Sequence, residues 1–149
     1  MAAMRKREGI AGQALEFAVA VRKMVAKAPG GAEENDPVAA QLNISSVMIG
    51  PKYAGIVSGL DRGHTLYRLD LCCGNADEAV YWLEYAATHW PQLAEEAKEL
   101  REEGLAIASV LHRRKEAFLL HLDEIDGEKM PWAERDWDAD DEDEDWSSE

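Results

Sequence analysis

The sequence predicts an all-α fold, an antiparallel up-down-up-down four-helix bundle followed by a disordered acidic C-terminal tail. Apolar residues recur at alternating steps of three and four through most of residues 1–126, which is the spacing of buried helix faces. Glycine and proline interrupt this pattern at 29–35, 59–63 and 90–91, and connections this short favour antiparallel neighbours. No alternating apolar and polar run is long enough to propose a strand.

The first two helices have clear starts or stops. Helix 1 is predicted over about 8–28, where Pro29 and two glycines end it. Helix 2 is predicted over 36–60, because an acid followed by proline, as in Asp36-Pro37, is typical of a helix start. Pro51 predicts a kink or a restart, since proline lacks the N–H donor and clashes with the preceding turn.

The last two helices are longer. Helix 3 is predicted from about 63 to 89, where Trp90-Pro91 breaks it, and helix 4 from about 91 to 124. At 1.5 Å per residue helix 4 would be about 50 Å long and helix 1 about 30 Å, so one end of helix 4 should project past the bundle. The predicted core contains Phe17, Ile49, Tyr53, Leu69, Val80, Leu83, Leu100 and Ile107.

Charge divides the chain into a bundle domain, 1–126, and an acidic tryptophan-containing tail, 127–149. Residues 134–149 hold ten acids and one base, a net charge of −9, whereas residues 1–133 have a net charge of −5. Because like charges repel and this segment has no apolar face, we expect it to be disordered.

Composition also indicates the compartment. No run approaches the roughly 18 consecutive apolar residues of a membrane span, and the first residues lack the apolar core of a signal peptide. A cytoplasmic location without membrane contact is therefore predicted. The two cysteines, Cys72 and Cys73, are adjacent, which favours small buried side chains over a disulfide or a metal site.

No pattern in the sequence indicates catalysis. A di-iron bundle needs Glu-x-x-His pairs, and only Asp61 stands three residues before a histidine, at a junction where it is more typical of a helix cap. The glycines of 50–55 have phosphate-loop spacing, but Ile56-Val57 stands where lysine and a hydroxyl residue are required. The sequence thus predicts no catalytic, cofactor-binding or metal-binding residue, and a protein that is not an enzyme.

Two basic clusters are candidate RNA-binding residues, since clustered bases hold phosphates by releasing counterions. Antiparallel packing would gather them at one end of the bundle. A solvated helix face is the alternative interpretation, and the net negative charge of the domain opposes nonspecific RNA binding. The candidates are Arg5, Lys6 and Arg7 before helix 1, and Arg113, Arg114 and Lys115 on helix 4.

Aromatic residues suggest two further surfaces. Tyr81, Trp82 and Tyr85 give helix 3 more apolar circumference than a monomeric bundle covers, which predicts an oligomer interface. In the tail, tryptophans alternate with acids, a composition suited to docking on a basic surface, although a merely solubilising tail is the alternative. The tail residues are Trp132, Trp137 and Trp146.

The segments 45–54 (SSVMIGPKYA) and 78–84 (EAVYWLE) resemble the 23S rRNA intervening-sequence family of four-helix-bundle proteins. Pro51-Lys52 departs from the small residue and amide usual in that family. The resemblance implies a four-helix bundle and a homo-oligomer, since several members of that family form ring-shaped pentamers. The first hypothesis is a non-enzymatic oligomeric scaffold with RNA or an RNA-protein complex as its client. The alternative hypothesis is a protein-protein adaptor whose acidic aromatic tail binds a basic partner.

Overall fold

A computed structural model describes residues 9–31, 35–56 and 60–120 of the chain. These ranges are almost wholly helical and contain no strand, which confirms the predicted all-α class. The four helices are α1 (Gly9–Ala26), α2 (Pro37–Ala54), α3 (Arg62–His89) and α4 (Ala94–Leu120), with short 3-10 turns at Pro29–Gly31 and Pro91–Leu93.

The helices form an antiparallel bundle in which each helix packs beside the next and α4 closes against α1. Contacts between α3 and α4 show the direction. Lys115 meets Asp70 at 2.6 Å, and His112 meets Asp77 at 3.0 Å, so residue numbers rise along one helix as they fall along the other. The predicted four-helix bundle is therefore confirmed.

The predicted helix starts at Asp36 and Asp61 are both capped. The Asp36 carboxylate accepts a hydrogen bond from the N–H of Val38 at 2.9 Å, and Asp61 accepts one from the N–H of His64 at 2.8 Å. Each carboxylate satisfies a backbone donor that has no partner inside its own helix, which fixes where α2 and α3 begin.

The prediction for the end of α2 was wrong in detail. The helix continues through Pro51 without a break and ends at Ala54, whereas the prediction extended it to residue 60. Residues 55 and 56 lie outside the helix, and residues 57–59 lie outside the described ranges. Pro51 lies in the last turn on the exposed side, where its missing N–H removes a single hydrogen bond from the helix. The N–H of Gly55 bonds to the carbonyl of Pro51 at 3.2 Å and closes the helix.

The helices come in two lengths. α1 and α2 have 18 residues each, whereas α3 and α4 have 28 and 27, or about 27 Å against about 40 Å. Arg68 lies level with Gly55, so the first turns of α3 extend past the end of α2. The end of α4 lies beside these turns and extends past the start of α1, because Gly104 is level with Phe17. One end of α4 thus projects past the bundle, as predicted, and the first turns of α3 project beside it; residues beyond 120 lie outside the described ranges.

The predicted core is confirmed at every position except Val80, which is half-buried. The buried side of α3 is centred on Cys72, Ala76 and Leu83, so Val80 lies at its border, against Gly104 of α4. Cys72 and Cys73 are buried free thiols, as expected, and the Cys72 thiol approaches the Ile49 carbonyl at 3.8 Å. None of the four described helices combines the length and the apolar composition that a bilayer span requires.

Candidate functional surfaces

Charge is unevenly distributed along the bundle axis. At the end where α2 and α4 finish and α3 begins, residues 49–56, 60–71 and 110–120 carry six bases and three acids, a net charge of +3. At the opposite end, residues 20–31, 35–43 and 78–104 carry five bases and eight acids, a net charge of −3. We call the first of these the basic end; its bases are Lys52, Arg62, Arg68, Arg113, Arg114 and Lys115.

Arg114 does not belong to the surface of the basic end, contrary to its prediction as an RNA-binding residue. Its side chain is 0% exposed. The guanidinium donates a hydrogen bond to the Tyr53 hydroxyl and lies over that ring, with Cζ 5.7 Å from the ring centroid. Arg114 is out of reach of a phosphate because its position on the helix points into the bundle. The sequence run Arg113-Arg114-Lys115 resembles one basic cluster and does not show that its middle residue is buried.

The neighbours of Arg114 point elsewhere. Arg113 is exposed. Lys115 is half-buried and bonds through Nζ to Asp70, and this hydrogen bond raises the pKa of the lysine. Only Arg113 of the three thus presents an exposed charge, and the predicted cluster 5–7 lies outside the described residues.

Three bases of this end, Lys52, Arg62 and Arg68, were not among the residues predicted from the sequence. Lys52 and Arg68 are distant in sequence, but antiparallel packing of α2 and α3 brings both near Cys72. Burial raises the pKa of that thiol to about 12, while the charges of Arg68 and Lys52 act in the opposite direction. The guanidinium of Arg68 also occupies the space that a Cβ on Gly55 would take. Pairing the predicted helices in antiparallel register would have found these residues.

A row of aromatic rings follows the outer surface of α3. Ring centroids are 5.0 Å apart for Tyr81 and Trp82, 5.6 Å for Trp82 and Tyr85, and 5.8 Å for Tyr85 and His89. The first two contacts are edge-to-face, a favoured arrangement for aromatic pairs. Tyr81 and Tyr85 remain 56% and 49% exposed, and Tyr85 lines a shallow groove with Thr88 and His89.

The aromatic row borders α2. His89 of α3 bonds to Asp36 of α2 at 2.7 Å, and Trp82 lies two turns before His89 on the same flank of α3. Trp82 is half-buried and packs against the core. The ring contact of Tyr85 with His89, which pairs with Asp36, places the row beside the start of α2.

The exposed side of α2 carries no charged residue. Ile44 and Val47 are 57% and 52% exposed, Gln41 is the one polar member, and the half-buried Lys52 lies at its edge. By contrast, α4 exposes many charged side chains. We call this side of α2 the uncharged face; its exposed residues are Pro37, Ala40, Gln41, Ile44, Val47, Pro51 and Ala54. The sequence contained the signal, since residues 37–51 include no charge, but the pattern was interpreted only for its buried side.

The described histidines pair with aspartates and do not cluster. His64 bonds to Asp61 at 2.7 Å and His112 to Asp77 at 3.0 Å, in addition to the pair of His89 with Asp36. Within the described ranges no three His, Cys, Asp or Glu side chains are placed to hold a metal ion. Trp132, Trp137 and Trp146 of the tail lie outside these ranges.

The fold is similar to that of a solved protein of unknown function from the S23 ribosomal protein family of Bacteroides thetaiotaomicron VPI-5482. The two chains are 19% identical, the match covers 71% of this chain and 97% of the other, and the TM-score is 0.60. The likeness establishes a shared fold. No family model and no curated protein matches the sequence.

Proposed function

We propose that this protein is a non-enzymatic, self-associating helical scaffold that carries an RNA or RNA-protein client on its basic end. The observation that carries the scaffold role is the uncharged face of α2. Charged residues make up 31% of the chain, yet the exposed side of an 18-residue helix has none. Contiguous exposed apolar surface of this kind marks protein contacts.

A second copy is the partner that best fits this face. Tyr81 and Tyr85 border it with large, partly exposed rings, and tyrosine and tryptophan are enriched in interface centres. Leu15 and Val19 of α1 add exposed apolar surface at the height of Val47, since Ala14 faces Gly50. The exposed apolar side of α1 and the uncharged face of α2 are two different surfaces of one chain. Contact of one surface with the other on the next copy runs head to tail and can close into a ring. The family resemblance suggests five copies.

Val47→Lys tests the scaffold role, with Ser109→Lys as the matched control on the exposed side of α4. Sedimentation velocity at micromolar concentration should show an oligomer for the wild type and for Ser109→Lys. Val47→Lys should be monomeric with unchanged helical circular dichroism, because a lysine inside the contact would lose its hydration. A monomeric wild type would refute self-association, and an intact Val47→Lys oligomer would place the contact elsewhere.

Two observations support the RNA client. Without the buried Arg114, the basic end still carries five bases against three acids, with Arg62 and Arg113 exposed, and a net positive surface favours binding of phosphates. The structural relative, moreover, is described as a member of the S23 ribosomal protein family. Because the whole chain has a formal charge of −14, binding should depend on this local charge and should be strongest at low salt.

Paired charge reversals test the client. Arg62→Glu with Arg113→Glu should weaken binding of a labelled single-stranded RNA about 10-fold or more at about 50 mM salt, since each lost phosphate contact reduces counterion release. Lys23→Glu with Lys98→Glu makes the same change in net charge on exposed residues of the opposite end and should have little effect. Equal losses from the two pairs would show that only net charge matters and would remove the basic end as the site.

A further inference from the structure

We propose that the acidic tail, residues 127–149, docks on the basic end of its own chain and there competes with nucleic-acid phosphate. The docking stands on charge, reach and exposed apolar surface, while the competition rests on the proposed RNA client. The tail would then regulate access to the site.

The charges of the tail and the basic end are complementary. The tail holds eleven acids and two bases, a net charge of −9. Of the described surfaces, the basic end offers the opposite sign, with Arg62 and Arg113 exposed and Lys52 and Arg68 half-buried between α2 and α3. The other end has a net charge of −3 and would repel the tail.

The chain leaves α4 close to the basic end. α4 runs toward the basic end, and the described part stops there at Leu120, with 29 residues of sequence still to follow. The 13 residues between Leu120 and Glu134 span up to about 45 Å when extended, which is more than the width of a bundle. The acidic run can therefore reach any part of this end without unfolding α4.

The basic end also exposes apolar side chains that could bind the tryptophans of the tail. Leu120 is 72% exposed, Tyr67 63% and Leu119 45%, and all three lie on the projecting turns of α3 and α4. A purely acidic segment would need only basic side chains on the surface that it binds. A segment with Trp132, Trp137 and Trp146 also needs apolar partners for its rings, and the projecting turns supply them beside the arginines.

Carbodiimide cross-linking of the full-length protein tests the docking directly, because the reagent joins a carboxylate only to an amine in contact with it. Lys52 at the basic end and Lys98 at the opposite end are the comparison. Tail carboxylates should be joined to Lys52 in preference to Lys98, although Lys98 is the more exposed lysine. Cross-links in diluted protein below the association range would place tail and lysine in one chain. Equal or absent cross-linking at Lys52 overturns the docking.

A full-length variant whose ten acids in 134–149 are changed to the matching amides tests the competition. It should bind single-stranded RNA about 10-fold or more tightly than the wild type at about 50 mM salt, with the difference shrinking toward 200 mM. Arg62→Glu with Arg113→Glu in this variant should abolish the gain. Equal RNA binding by both proteins would overturn the competition between tail and RNA, but the proposal of an RNA client would stand. If neither protein binds RNA, the proposal of an RNA client is wrong. The proposed docking of the tail would then still stand if the Lys52 cross-links form.

Discussion

The guanidinium of Arg114 donates a hydrogen bond to the Tyr53 hydroxyl inside the bundle and lies over the same ring. This pair joins the end of α4 to the end of α2 and sets the relative position of the two helices beneath the basic surface. A fully buried arginine is costly to desolvate, so it is retained in the core only with its interactions in place.

Removing this arginine should strongly destabilise the fold. Arg114→Ala is expected to lower the free energy of unfolding by about 3 to 5 kcal/mol, because it leaves a cavity and breaks a buried polar contact. Arg113→Ala, one residue away and exposed, should change it by no more than about 0.5 kcal/mol. Urea unfolding followed by circular dichroism measures both, and similar values for the two variants would contradict the burial of Arg114.

Two helical glycines should respond to alanine in opposite ways. A Cβ on Gly74 of α3 would meet nothing within 4 Å, so Gly74→Ala should stabilise the protein by up to about 1 kcal/mol through helix propensity. A Cβ on Gly104 of α4 would lie 3.1 Å from both Phe17 and Val80. Overpacking should there offset the propensity gain. Thermal unfolding of both variants measures the difference between the two sites. An equal rise in Tm would show that the Phe17 side chain moves aside without a cost in stability.

The carboxyl of Glu103 makes the free energy of unfolding depend on pH in a predictable direction. Partial burial of the Glu103 side chain, together with repulsion from Glu99 and Glu16, raises the pKa of its carboxyl from 4.5 to about 7. The folded state therefore holds more protons than the unfolded state between these values, and this contribution to stability is lost as pH rises through 7.

Glu103→Gln should accordingly raise the free energy of unfolding at pH 8 by about 1 to 2 kcal/mol, a value reduced from the full shift because the side chain keeps part of its solvent contact. The gain should largely disappear by pH 5, where the native carboxyl is already protonated. Glu116→Gln on the exposed side of α4 is the control and should show no such trend. A gain that is the same at both pH values would exclude the titration of Glu103 as its cause.

The thiols should be unreactive in the folded protein. Burial raises the pKa of Cys72 to about 12 and that of Cys73 to about 11, so little thiolate is present at pH 8. Ellman's reagent should modify neither thiol appreciably in native buffer and both within minutes in guanidinium. Rapid native modification of one equivalent would show that α3 opens locally.

Local chemistry made much of this fold predictable. The caps at Asp36 and Asp61 and the stop at Pro29 act within a few residues, so the sequence alone places them. The restart predicted at Pro51 does not occur, because the cost of a proline depends on its place in a helix, and the end of α2 was placed too late. Val80 was misplaced because a stripe spaced by three and four leaves the centre of the buried side uncertain by one residue.

The surfaces were less predictable because they depend on how helices pair. Arg114 separates from Arg113 and Lys115 only when the inward side of α4 is known, and Lys52 and Arg68 both come near Cys72 only through antiparallel packing. The aromatic residues Tyr81 and Tyr85 were identified correctly as partly exposed, since the seam of α3 was already filled. Their proposed contact with a second copy stays a prediction.

The uncharged face lies along the side of the bundle, whereas the basic end caps its axis. Copies that associate through their sides with aligned axes would leave every basic end accessible on one rim. A single long client could then contact several subunits at once, each held near the next by the assembly. Weak individual sites would combine into tight attachment through effective concentration. An RNA too short to bridge two subunits would gain nothing from assembly, so affinity that grows with client length would be the signature of this geometry.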